Sequence, residues 1–521
     1  AGAFPTQLTE AEFEPARYDE LDTMVSTIGS AMLGLSVGCA RCHDHKYDPI
    51  PAADYYRLAA VFTGTIRSHA ELDLDPEATR RALPEWEREH ALRRAALERF
   101  EREELPGRFD AWVRSRPWEA AGAKVPPELL AEVREGPLPP ERRERALSMY
   151  RKLDPDWRAL HEALERSKAA RPGPRPVLVT TEGLKPLKHH ADERGYPHFY
   201  PETYVLARGD VRRKQGVAAP GFLGALVRAP EDRWFRPPPP AARSPHRRAA
   251  LARWITDVEH GAGALLARVI VNRLWHHHFG RGLVATPNDF GAQGEPPTHP
   301  ELLEWLAGEL VRGGWRLKPL HKLMVTSAVY LESAQADPAR ERADPANLLL
   351  GRREVRRLEA EAIRDTLLAT AGLLDRRMYG PGTLDEGMMR RSVYFFVKRS
   401  RLIPMMQVFD APEPLLSAGS RPTTTVAPQA LVFLNSPHVR RWAAAFGARL
   451  SGAATPEGTV ELGYRLALGR EPSEDERAAA AAFLRSQEES YRREGAADAA
   501  ARARTDLAHA LFCLNEFIYV D

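Results

Sequence analysis

Apolar residues spaced three and four apart restrict the fold of this chain more than any other feature. Leu21, Met24, Val25, Ile28, Met32 and Leu35 follow that spacing, which puts them on one stripe of a helix because a turn takes 3.6 residues. The stretch "DPIPAADYYRLAAVFTG" opens with a proline-bracketed turn and then carries Tyr55, Leu58, Ala59 and Phe62 at helical spacing, predicting a second helix. Residues 71 to about 170 keep the periodicity but become rich in charge, as in "PEWEREHALRRAALERFEREELPGRF". Charges of mixed sign along a helix form solvated faces, so this part reads as a charged insert of antiparallel helices. One stretch breaks the pattern. Between 175 and 230, "RPVLVTTEG" and "ETYVLARGDVRRKQGVAAPGFL" bring β-branched runs interrupted by Gly and Pro, which predicts a small β segment.

Two later helices announce their starts. Thr298 with Glu301 and Ser473 with Glu476 fit the capping box, in which a hydroxyl and a carboxylate satisfy backbone donors left open at a helix N-terminus. Gly313 and Gly314 supply a stop for the first. Four prolines at 237 to 240 form a stiff connector, and a domain boundary is placed there. With 521 residues the chain exceeds what one core usually organises, roughly 250 residues. The expected protein is mainly α, multi-domain and helical, with a small β-rich segment around 175–230. Residues 1–70 hold a cysteine motif, 71–174 the charged helical insert, 175–245 the β segment and Pro-rich linker, and 246–521 a helical C-terminal domain.

Charge excludes some partners. A net charge of +3 with 28% charged residues of interspersed sign leaves no basic track for nucleic acid and no polybasic membrane patch. No window approaches the roughly 18 apolar residues of a membrane span. The opening "AGAFPTQLTE" has neither an initiator Met nor a signal-peptide pattern, so the chain reads as processed or as a fragment. Three cysteines are too few for a disulfide framework, and Cys513 reads as a small buried hydrophobe.

The other two cysteines lie in "GCARCHDHKYDPI". Cys39, Cys42 and His43 have the spacing of c-type haem attachment, in which two thiols add to the two vinyl groups and the adjacent His is the proximal iron ligand. A second reading closes a tetrahedral zinc or iron site with Cys39, Cys42, His43 and His45. A third makes the cysteines a local disulfide or redox dithiol, although no thioredoxin-like βαβ pattern surrounds them. The sixth ligand of a haem iron is open. No Met follows His43 until Met149, His69 is the nearest downstream His beyond the motif, and Met405, Met406 or a later histidine are further candidates.

Other residues carry blander readings. Adjacent helical residues point about 100° apart, so His276, His277 and His278 cannot all face one ion and read as packing or surface groups. Asn288, Asp289, Glu295 and His299 in "TPNDFGAQGEPPTHP" read first as turn and cap residues, and second as a pocket lining or an oxygen-ligand cation site. Asp44 and Asp48 are expected to brace the cysteine loop.

The stretch "RYDELDTMVSTIGSAMLGLSVGCARCHDHKYDPIPAADYYRLAAVF" closely resembles the end of the planctomycete cytochrome-like domain known as domain of unknown function 1549. "LARVIVNRLWHHHFGRGLVATPNDFGAQGEPPTHPELLEWLAGELVRGGWRLKPLHKLMVTSAVY", with "RRSVYFF", "FDAPEP", "APQALVFLNSP" and "LNEFIYVD", resembles its companion, domain of unknown function 1553. The resemblance implies an exported bacterial protein, periplasmic or at the cell surface, carrying haem c and serving electron transfer for a redox partner or a neighbouring cytochrome domain. It also implies that most of the first domain lies outside this chain. The alternative is a Cys/His metal-stabilised binding or hydrolytic scaffold acting on an extracellular polymer.

Overall fold

The apolar stripe near the N-terminus folds as the helix Glu10–Ile28, continued by one π-helical turn, Gly29–Leu33. That wider turn shifts the register of the stripe. Leu33 is therefore fully buried, while Met32, expected on the stripe, is 37% exposed. Gly34 ends the element with φ +59, a left-handed conformation that glycine adopts without a steric penalty. A Cβ there would also stand 2.7 Å from the Phe290 ring. The structure, a computed structural model, describes residues 9–119, 125–134, 138–182, 202–240, 242, 244–335, 337–398, 400–412 and 418–520.

The second expected helix forms as Ala52–Ala60 and buries Tyr55, Tyr56, Leu58 and Ala59. Its polar side is tied down as well. Asp54 accepts the Gly224 N–H at 2.6 Å, and Arg57 donates to Glu231 at 2.7 Å. One hydrophobic core joins Leu21, Val25, Leu58, Phe222, Trp234 and Trp254. Phe222 and Trp254 stack with centroids 4.9 Å apart. The core thus includes side chains from before and after the prolines at 237–240.

Chain contacts divide the protein into two compact units, one formed by the residues up to Thr65 with those from 202 onward, the other by Ile66–Thr181. In the first unit, Gly263–Phe279, Pro300–Arg312 and Leu317–Val325 enclose a second core of Val271, Trp275, Leu306, Leu310 and Met324. A third core, with Leu367, Phe409, Trp442, Phe446 and Phe512, gathers the helices Ala360–Thr370, Pro437–Arg449, Pro456–Leu468, Glu474–Arg493 and Ala499–Phe512. Cys513 packs at its edge and is only partly buried.

The second unit is the charged insert. Pro76–Glu103 packs against Pro155–Ala169, and Trp86 Nε1 donates to the Ser167 carbonyl at 2.8 Å. Three shorter helices, Leu105–Ser115, Pro127–Arg134 and Pro140–Tyr150, complete a core around Leu97, Phe100, Phe109 and Trp157.

Helix makes up 59% and strand 5% of the structure, so the fold is mainly α. Within the expected β window, Arg175–Glu182, Tyr204–Leu206 and Lys214–Val217 are strands, the last two paired antiparallel. The partner of Arg175–Glu182 was missed. It is Thr65–Leu72, too short to separate from the end of the preceding helix by pattern, and stabilised by a pairing distant in sequence. A further two-residue pair, Arg356–Arg357 with Tyr519–Val520, leaves the C-terminal region helical. Only one of the two capping boxes survives. Ser473 Oγ accepts from the Glu476 N–H at 3.2 Å while the Glu476 carboxylate accepts from the Ser473 N–H at 2.8 Å. At the other, the helix starts after His299 with Pro300, and no side chain caps it. Thr298 Oγ1 donates instead to the Leu283 carbonyl at 3.4 Å, because the Pro at the first helical position delays the start by one residue.

Candidate functional site

The cysteine motif is carried by a 3-10 turn, Val37–Arg41. With three residues per turn, positions three apart are eclipsed. Val37 and Ala40 are accordingly both fully buried, and Cys39 and Cys42 are both exposed with free thiols. The spacing therefore presents two sulfurs outward while an apolar pair anchors the turn. Cys42 Sγ has a close neighbour in Gly209, where a Cβ would stand 3.0 Å from the sulfur. Nothing in the sequence pattern marks Gly209, since its role depends on a turn 167 positions away from Cys42 coming alongside.

The two histidines of the motif have opposite fates. His43 is exposed, and its Nδ1 lies 2.7 Å from the Asp44 carbonyl oxygen. A carbonyl only accepts, so Nδ1 is the donor in this contact and Nε2 is the ring nitrogen it leaves unengaged. In contrast, the His45 side chain is 5% exposed. Its Nδ1 accepts the Asp48 N–H at 2.9 Å and the Tyr47 N–H at 3.3 Å, so Nε2–H donates to Ser36 Oγ at 3.0 Å. Both nitrogens are engaged, and His45 serves the loop rather than joining Cys39, Cys42 and His43. Among the described residues no group of three or more His, Cys, Asp or Glu side chains is placed to hold a metal ion.

Asp44 and Asp48 brace this loop from two sides. Asp44 accepts the Ala52 N–H at 2.8 Å, and Asp48 Oδ1 accepts the Ala292 N–H at 2.8 Å. A Cβ on Gly291 would collide with the Asp48 carboxylate. Phe290 N–H donates to the Gly34 carbonyl at 2.6 Å, and Arg273 bridges Ser30 O at 3.1 Å to Asn288 Oδ1 at 2.6 Å. Residues 287–292 thus clamp the chain on both sides of the cysteines. Asp289 makes a turn of its own, accepting the Gly291 N–H at 2.9 Å. Arg41, between the cysteines, pairs with Asp19 at 2.7 Å, and its carbonyl accepts from the Tyr56 hydroxyl at 2.7 Å. Burial pushes the Tyr56 hydroxyl up to about 12, so it stays a donor.

The remaining candidates lie elsewhere. Met406 is buried in the third core with Met405 packed against it. Met149 packs in the core of the charged unit, and the His69 side chain lies outside the described residues. Trp275 is buried and His277 exposed. His278 meets His321, Nε2 to Nδ1, at 2.8 Å, a pairing across two helices that sequence spacing does not disclose. Glu295 makes a 3.5 Å contact with Arg281, and His299 Nδ1 lies 3.1 Å from Thr298 Oγ1.

This is a mainly helical protein whose cysteine–histidine loop is held at the surface by hydrogen bonds from two distant parts of one unit. Residues 3–67 match PSCyt2, a protein of unknown function (DUF1549), and residues 247–484 match PSD1, a protein of unknown function (DUF1553). Both domains that the sequence resembles are thus matched by family models. No curated protein and no solved structure matches it. Among the described residues no helix is long and apolar enough to cross a membrane.

Proposed function

We propose that this chain is an exported bacterial c-type haem protein, periplasmic or at the cell surface, that passes single electrons to a redox partner or a neighbouring cytochrome domain. The observation that carries this reading is the state of His43, whose Nδ1–H is fixed on the Asp44 carbonyl so that Nε2 is exposed and available as a ligand. The donor set fits the group. Cys39 and Cys42 would hold it by adding each S–H across one vinyl double bond, forming one C–S and one C–H bond with nothing released. His43 would supply the proximal nitrogen. Haem bound there supplies a reversible one-electron couple. The protein's own part is positional: Asp44 sets the ring of His43, Ala40 and Val37 anchor the turn, and Gly209 leaves room beside Cys42.

The zinc or iron reading loses its fourth ligand where His45 is engaged by Ser36 and Asp48. Mass spectrometry of the full-length exported protein separates the two. The expected result is a peptide spanning Cys39 to His43 that carries one haem, with a Soret band that stays with the denatured chain. An unmodified peptide overturns the proposal. Stoichiometric zinc or iron that is lost in His45→Ala would replace it with the four-ligand metal site.

A further inference from the structure

Four arginines converge on a cleft in the C-terminal half of the first unit. It is lined by Arg281, Arg352, Arg353 and Arg356 together with His278 and one acid, Glu354. Such a collection normally pairs with carboxylates. Here, among the described residues, no carboxylate lies within ion-pair distance of Arg352, Arg353 or Arg356, and Arg281 has only the 3.5 Å contact with Glu295. The cations are held by carbonyl groups instead. Arg356 donates to the carbonyls of His277 at 3.1 Å and His278 at 3.0 Å, capping the helix Gly263–Phe279 at its negative end. Gly280 makes this possible, since a Cβ there would stand 2.7 Å from Arg356 Cδ. Arg353 donates to the Tyr330 carbonyl at 2.9 Å and lies 4.2 Å from the centre of the Tyr330 ring.

Arg352 is fixed by its backbone. The Asn347 side chain donates to the Arg352 carbonyl at 2.8 Å and accepts its N–H at 3.3 Å, while the guanidinium spends one nitrogen on the Pro345 carbonyl at 3.1 Å. Two separate segments, His278–Arg281 and Arg352–Arg356, therefore bring positive charge to one place, and the arginines of the second are locked by their own hydrogen bonds. Burial, and after it Arg353, pushes the Arg356 guanidinium down against the opposing effect of Tyr330, Glu354 and Glu359, and burial, His321 and Arg356 push His278 down.

We infer that this cleft is a binding site for an oxyanion group, a sulfate, phosphate or carboxylate, presented by a small molecule or at the end of a larger one. Guanidinium forks match the paired oxygens of such groups, and fixed, partly desolvated donors bind them more strongly than mobile surface side chains do. The cleft holds about 30 Å³, more than the about 10–15 Å³ that one water needs, and its lining also includes the apolar side chains of Trp275, Phe279 and Leu350.

The test is calorimetric titration of the full chain with sodium sulfate, and separately with dextran sulfate, against sodium chloride at matched ionic strength. Saturable binding is expected, weakened about tenfold in Arg281→Gln/Arg352→Gln and tightened in Glu354→Gln, with circular dichroism unchanged in both. Opposite shifts from two variants exclude a general loss of fold. Binding of dextran sulfate where inorganic sulfate fails identifies a polymer-borne group as the source. Chloride matching sulfate, or variants that bind both probes as the unaltered chain does, overturns the inference. Haem attachment at Cys39 and Cys42 has no bearing on either result.

Discussion

The cysteine loop and the charged helical unit are both polar and both exposed, yet their polar groups do different work. In the helical unit charge meets charge across solvated surface, as in Arg93–Glu89 at 3.0 Å with both side chains about half exposed, 43% and 53%. In the loop, side chains meet backbone: His45, Asp44 and Asp48 accept from main-chain N–H groups, and the Asp48 side chain is only 9% exposed. A surface ion pair trades one solvated arrangement for another and contributes little. A buried acceptor that satisfies a main-chain donor fixes the path of the chain, and its loss strands the donor. The loop can therefore present reactive groups outward because its non-reactive polar groups are turned inward.

Replacing the buried carboxylate among these groups gives the largest effect. Asp48→Ala should destabilise the first unit by about 2 kcal/mol, the usual worth of a hydrogen bond to a charged acceptor whose donor is then left unpaired. Urea unfolding followed by the fluorescence of its tryptophans measures this. A loss no greater than that of a surface pair would erase the distinction between the two regions.

A smaller, pH-dependent effect belongs to the helical unit. A hydrogen bond from Arg145, then one from Arg142, holds the Glu132 carboxyl below its ordinary range. A carboxyl lowered on folding adds stability above its unfolded pKa, about 4.3, and that stability disappears as pH falls through the lowered folded value. Unfolding of the chain with Glu132→Gln should accordingly lose this part of the acid dependence and match the unaltered chain at the low end. A variant curve parallel to the parent's from pH 5 to pH 2 would contradict the assignment.

The smallest change is expected at Arg93. Arg93→Ala should shift stability by no more than about 0.5 kcal/mol, and raising the salt concentration should remove even that. A salt-independent loss above 1 kcal/mol would mean that the charged faces of this unit are structural in the way the loop is.

Much of the helical framework was legible because its cause is local. The spacing of Tyr55, Leu58 and Ala59 places them on one face wherever the helix lies, and the Ser473 box closes between residues three apart. The exceptions are equally physical. A π turn after Ile28 exchanged Met32 for Leu33 in the core, and a proline at the first helical position moved the start of the next helix past Thr298. Neither disturbs the apolar pattern from which helices are read. The strand Thr65–Leu72 exists through its pairing with Arg175–Glu182, a partner that no window of sequence contains.

By itself the sequence determined the helical class, the two domains that family models match and the spacing of Cys39, Cys42 and His43. Only the tertiary structure decided which histidine of the motif is free, because that depends on what occupies each ring nitrogen. His45 is taken by Ser36 and Asp48, and Asp48 is held in turn by Ala292, 244 residues along the chain. The same holds for the arginine cleft, where Arg281 and Arg352 meet although they are unremarkable in sequence. Helical periodicity is fixed by bonds between near neighbours, whereas the availability of a ring nitrogen or the gathering of guanidinium groups in one cleft is fixed by whichever distant groups packing brings together.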